Sequence, residues 1–180
     1  AKTRAIGTRT PAYFPHTGSP KVLVILAQFS DVSFSLPDPK KSFNDYFNFD
    51  SSSSLMPDYA NNEKRNHGSV KQYFKDMSNG QFTPQFDIVG PITVPNTSMY
   101  YGKDGTEENN HDLKIAEFIT DACNAVAAQG SINFADYDSN NDGFVDLVYV
   151  LFAGYGQNAA PETYKDDLIW PKSWTLPIPL

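Results

Sequence analysis

"KVLVILAQF", residues 21–29, sets six consecutive apolar residues, Val22 to Ala27, between a lysine and a glutamine. Three of the six are β-branched, which suits extended backbone better than helix. A strand with one wet face alternates apolar and polar side chains; a run with no alternation needs cover on both faces. The stretch therefore predicts a strand buried on both sides in the middle of a sheet.

Working outward, "HGSVKQYFKDMSNGQF" (67–82) is the clearest helix. Val70, Tyr73, Phe74 and Met77 fall at i, i+3, i+4 and i+7, one apolar stripe at helical spacing. The stripe is expected to be buried against strands at 22–29 and 147–152. Ser69 and Gln72 make a capping-box pair, and Asn79-Gly80 supplies a left-handed stop. "QFTPQFDIVGPITV" (81–94) alternates well enough for one or two strands, broken at Gly90-Pro91. Asp112 is placed to cap a second helix from Leu113 to about Ala128, with Ile115, Ile119, Ala122, Cys123 and Val126 on one face and Gly130 ending it. "DPKKSFNDYFNF" (38–49) suits a short helix, whereas 48–66 and 96–110 read as polar loops. Residues 1–20, with Pro11, Pro15, Gly18 and Pro20 and no periodicity, read as an extended arm or linker. Residues 21–180 then form one domain of the α/β (α+β) class, a mixed β-sheet with flanking helices.

The chain of 180 residues is long enough for a real core, and its 13 Phe and 10 Tyr supply large side chains to fill it. Its formal net charge of -7 argues against a nucleic-acid partner, which would need clustered Lys and Arg, and suits a cation instead. Cys123 is the single cysteine, so no intrachain disulfide forms; its apolar helical surroundings make it a packing residue. No apolar run approaches the ~20 residues of a membrane-spanning helix. The first residues carry no signal-peptide pattern, so any targeting segment is expected to be already removed or absent.

One loop points to a ligand. "YDSNNDGFVD" (137–146) offers Asp138, Asn140 and Asp142, then Gly143, Phe144 and Asp146. Oxygen-bearing side chains at alternate positions converge when a chain wraps around a cation. Glycine at the sixth position allows the sharp turn, the seventh gives its backbone carbonyl, and the ninth often acts through a water. All these donors are hard oxygens, which selects calcium over zinc or copper. The twelfth position is Tyr149 instead of a bidentate Glu, and a strand follows where a helix would. Asp136 or water is left to supply the missing oxygen, and the expected dissociation constant is on the order of 10⁻⁴ to 10⁻³ M. Calcium here is expected to be structural, relieving repulsion among carboxylates and fixing where the next strand starts. A plain Asx-rich turn without metal is the competing reading.

Catalytic motifs are missing from the sequence. His16, His67 and His111 are scattered through polar surroundings, and there is no HExxH, Gly-x-Ser-x-Gly, phosphate loop or GxGxxG. In order along the chain, however, "KVLVILAQFSDVSF", "HGSVKQYFKDMSNGQFTPQFDIVGPITV", "YYG", "NFADYDSNNDGFVDLVYVLFAGYGQ" and "LIWPKSW" resemble the amino-terminal half of immune inhibitor A-like zinc metalloproteases. The resemblance covers residues 21 to about 174. It implies a zincin-like amino-terminal lobe, in which the calcium-loop block precedes an HExxH helix carrying zinc ligands and a general-base Glu. It also implies a secreted, cell-surface or periplasmic endopeptidase made as a precursor. Its partners would be a protein or peptide substrate and the remaining C-terminal part of the protease domain. Only the calcium positions Asp138, Asn140, Asp142, Phe144 and Asp146 carry over; zinc is expected only in a longer protein, and this chain alone is expected to be inactive. The alternative is a calcium-stabilised module that grips peptides or partners without cutting them. A dockerin-like module fits poorly, having two such loops where this chain has one.

Overall fold

A computed structural model of the chain describes residues 14–49, 68–106, 111–163, 167–173 and 175–176. Strand β1 (Lys21–Gln28) is central, flanked by β2 (Gln85–Thr93) and β3 (Val148–Phe152), and both pairings are parallel. Its six apolar residues are all buried, as their unbroken run predicts. Successive side chains of a strand point to opposite faces. Accordingly, Leu23, Ile25 and Ala27 join one core cluster, while Val22, Val24 and Leu26 join another.

The two clusters belong to two helical layers. Helix α1 (Pro39–Asn48) and helix α2 (Val70–Met77) lie between β1 and β2 in sequence, and Phe47 and Phe74 pack with the Val22 face. Helix α1 begins at Asp38, whose carboxylate accepts from Lys41 N, with Pro39 in the first turn where its missing N–H is harmless. Helix α4 (Ile115–Ala128) covers the other face with Ile115, Phe118, Ala122, Cys123 and Val126. Parallel strands joined by helices on both faces give a mixed α/β domain, the expected class. Cys123 is a buried packing residue whose thiol burial pushes up to about 11.

Four sequence expectations change. The α2 stripe is not one buried face: Val70 and Phe74 are half-buried, but Tyr73 is 59% and Met77 71% exposed. A two-turn helix meets its neighbours along one narrow edge, and here that edge carries Phe74, 5.4 Å from Phe82 between ring centroids. Ser69 does cap the helix, accepting from Gln72 N, but the Gln72 side chain donates to Asp76 and does not complete a capping box. The 85–93 strand is continuous through a cis Gly90-Pro91 bond, with the register against β1 shifting between Ile25 and Ala27. Gly90 is required there, because a Cβ would lie 2.5 Å from Leu26 O. Helix α4 starts at Ile115, and the cap position before it is Lys114, which makes no side-chain capping bond, so Asp112 is not its cap.

Within the expected loop 96–110, a short helix α3 (Ser98–Tyr101), capped by the Thr97 side chain, carries Tyr101 into the core. Phe14 packs edge-on against Phe82, and Gly18 bridges the same residue, so 14–20 already touches the domain. Residues 1–13 of the expected arm and residues 50–67 of the expected long loop, with His67, lie outside the described residues.

Candidate functional site

The carboxylate loop sits at the amino ends of the three strands. It leaves a 3₁₀ turn at Phe134–Tyr137 and feeds directly into β3. Tyr137 anchors the turn. Its ring is buried, its hydroxyl donates to Asp87 Oδ2 at 2.9 Å, and its carbonyl accepts from Asp146 N at 2.9 Å, closing the loop at its base. Burial, with the Asp87 carboxylate beside it, pushes the phenol well above its ordinary range.

Inside the loop, side-chain oxygens accept from backbone N–H groups in successive Asx turns. Asp138 Oδ1 and Oδ2 accept from Asp142 N and Gly143 N at 3.0 and 2.8 Å. Asn140 Oδ1 accepts from Asp142 N, and Asp142 Oδ1 accepts from Phe144 N, at 3.1 and 3.0 Å. Asp146 Oδ2 takes Ser139 N at 2.9 Å. The turn is sharp because Asn141 (φ 58°) and Gly143 (φ 92°) are both left-handed. Asp138, Asn140 and Asp142 are thus brought together, and Asp146 ties the loop's far end back to its start.

The donor chemistry suits a hard cation. Each carboxylate has about four lone-pair sites, so an oxygen that accepts one N–H can still ligate an ion. As placed, no three His, Cys, Asp or Glu side chains among the described residues converge on a metal-sized point. Asp136 is turned away: its Oδ2 pairs with Lys21 at 3.0 Å and its Oδ1 accepts from Asn133. That pair joins the loop's entry to β1 and raises the Lys21 amine through its bond to Asp136. Tyr149, at the twelfth position, is a partly exposed residue of β3.

A second polar cluster, at the carboxyl end of the sheet, was not foreseen. Asp112 is 1% exposed with its backbone at φ 54°, and both its oxygens accept from Trp170 N, at 3.1 and 3.3 Å. The same carboxylate pairs with Lys172 Nζ. Asp112 N donates to Asp104 Oδ1 at 2.9 Å, while Asp104 Oδ2 takes Gln157 Nε2 at 3.0 Å and faces His111 Nδ1 at 3.1 Å. Burial by itself would raise the Asp104 carboxyl, but the Asp112 N–H, the His111 ring and the Gln157 amide outweigh it and hold it below its ordinary value. Two carboxylates thus join the loop after α3, the turn after β3 and the segment 168–172. Gly102 permits the closest approach, since a Cβ there would lie 2.4 Å from the backbone of Leu168. His16 and His111 are both exposed, His111 beside Asp104.

A three-stranded parallel sheet between helical layers, with such a loop leading into its last strand, is compatible with a metalloprotease domain. The chain belongs to the immune inhibitor A peptidase M6 family: residues 12–178 match the family's catalytic domain. It is similar to immune inhibitor A of Bacillus thuringiensis subsp. alesti, 27% identical over 186 aligned residues that cover 92% of this chain and 27% of that protein. It is also similar to pre-pro-metalloprotease PrtV of Vibrio cholerae serotype O1 (strain M66-2), 24% identical over 131 residues, which cover 66% of this chain and 14% of that protein. The chain therefore spans about a quarter of the first relative's length and less of the second's. No helix among the described residues is long and apolar enough to cross a membrane.

Proposed function

We propose that this chain is the amino-terminal, calcium-stabilised part of a secreted zinc-dependent endopeptidase. The observation that carries the reading is the family match, continuous over residues 12–178. The names of the relatives support it, one being that of a pre-pro-metalloprotease, and protein or peptide chains are then the substrates. Zinc, when bound, would polarise a peptide carbonyl and lower the pKa of an attacking water. Such a site needs three protein ligands and a general base. Those groups belong to the remaining part of the protease domain, because this chain contains three separated histidines and no HExxH. The 180-residue chain is accordingly expected to retain no stoichiometric zinc after dialysis and to leave a denatured protein substrate uncut. The longer gene product is expected to hold zinc and to cut that substrate. Chelator-sensitive cleavage by the short chain, or a longer reading frame without HExxH, would overturn this reading.

Calcium would be held by Asp138, Asn140, Asp142, the Phe144 carbonyl and Asp146. With a dissociation constant of about 10⁻⁴ to 10⁻³ M, calcium at about 10 mM contributes about 1.4–2.7 kcal/mol by linkage. For a chain of this size that raises the melting temperature by about 3–10 °C. Asp142→Ala should abolish most of the rise, since it removes one of three clustered carboxylates. Thermal melts with calcium and with chelator, on both proteins, decide it. Identical calcium responses in the two would remove the loop from the proposal.

A further inference from the structure

A cavity of about 470 Å³ opens beside the second carboxylate cluster, lined chiefly by His111, Gln157, Asn158, Glu162, Trp170 and Lys172. Four of these six are held by just two carboxylates: His111 and Gln157 by Asp104, Trp170 and Lys172 by Asp112. The two carboxylates are themselves linked through the Asp112 N–H. Three of the four are held by their side chains and Trp170 by its backbone N–H, and lining groups fixed from behind are the arrangement a binding site requires.

The position in the fold agrees. With strand order β2-β1-β3, the chain runs from β1 to one neighbour and later to the other. The crevice beyond the carboxyl ends of β1 and β3 is therefore the topological switch point, where open α/β sheets take ligands. Gln157 and Asn158 stand on the turn that follows β3.

Stability alone explains this cluster poorly. Burying a charged pair seldom gains more than apolar packing of the same volume would. A left-handed backbone at a non-glycine residue adds a further cost and is concentrated at functional positions. What the buried Asp112 secures is a segment whose Trp170 stays 49% exposed. Tryptophan is among the residues most enriched at the hot spots of binding surfaces. Among the described residues Gln157 Oε1 is buried without a hydrogen-bond partner, which leaves that side of the wall one donor short. A peptide main chain carries such donors. Lys172 and Glu162, opposite in charge, leave no single sign of charge to select an ionic ligand.

We propose that this cavity binds an extended peptide segment against Trp170, with Asp112 as the positioning residue that fixes the Trp170 backbone and the Lys172 ammonium. In taking a peptide as the ligand, the proposal rests on the peptidase reading. The test titrates the 180-residue chain into fluorescently labelled, reduced and alkylated insulin B chain and reads anisotropy. It is run well below every melting temperature, with circular dichroism confirming the fold. Saturable binding is expected, weakened about tenfold or more by Trp170→Ala, the loss of one good aromatic anchor. Asp112→Asn, which keeps an acceptor for Trp170 N but releases Lys172, should weaken it about threefold. Tyr73→Ala, on an exposed face of α2, should leave it unchanged. Absence of saturable binding, or equal affinity in wild type and Trp170→Ala, overturns the proposal. In the longer protein Trp170→Ala should raise KM and spare kcat. Peptidase activity there with an unmoved KM would defeat the cavity and leave the peptidase reading standing. Peptide binding by the short chain without activity in the longer protein would do the reverse.

Discussion

Lys172→Met is expected to destabilise the folded chain by about 3–5 kcal/mol, the usual consequence of leaving a buried charge unpaired. Asp112 is 1% exposed, and its partners are the Trp170 N–H and the Lys172 ammonium. Without the ammonium, one backbone N–H would have to balance a full negative charge away from water. Asp112→Asn should cost less, because the amide is neutral, its oxygen still accepts from Trp170, and the Lys172 side chain, 27% exposed, can turn to solvent. The order of the two variants therefore tests the account more sharply than either value. Urea unfolding at neutral pH measures both. A loss below about 1 kcal/mol, or one smaller than that of Asp112→Asn, would mean that Lys172 is not the counter-charge of Asp112.

The sequence makes some of this legible and hides the rest for physical reasons. The Val22–Ala27 run identifies a doubly covered strand because burial on both faces leaves no other local pattern. The 137–146 loop declares its shape equally well, since Asx turns and left-handed Asn141 and Gly143 are settled within a few residues. Asp112 is different. Placed just before a helix it has the signature of a cap, yet its partners lie 58 and 60 residues onward, at Trp170 and Lys172. Nothing local distinguishes a carboxylate that caps its own helix from one drawn inward by a distant amine. Asp136 has the same ambiguity, being near the loop in sequence but paired with Lys21. Tyr101 lies in a polar stretch whose composition indicates exposure. Its burial follows from a short helix and from the Asp121 carboxylate that accepts its hydroxyl at 2.7 Å.

The α2 stripe and the α4 face show the same limit in packing, and they set the last expected result. Phe118→Ala should cost about 3–5 kcal/mol, whereas Tyr73→Ala should stay within about 0.5 kcal/mol. Periodicity ranks Tyr73 first, placing it on the α2 stripe while the α4 face it draws has Ile119 and not Phe118. Their surroundings reverse that order. Phe118 is 1% exposed, with ring centroids 5.4 Å from Phe29, 5.3 Å from Tyr101 and 6.3 Å from Phe152. These rings join α4 to the carboxyl ends of β1 and β3, and removing the central one opens a cavity that its neighbours, fixed by backbone on three elements, can fill only in part. Tyr73 projects from a two-turn helix into solvent, so truncation removes little buried surface. Phe74, half-buried against Phe82, should fall between them. Chemical denaturation of the three variants gives the ranking, and a Tyr73 loss comparable with that of Phe118 would show that the exposed edge of α2 is covered in solution.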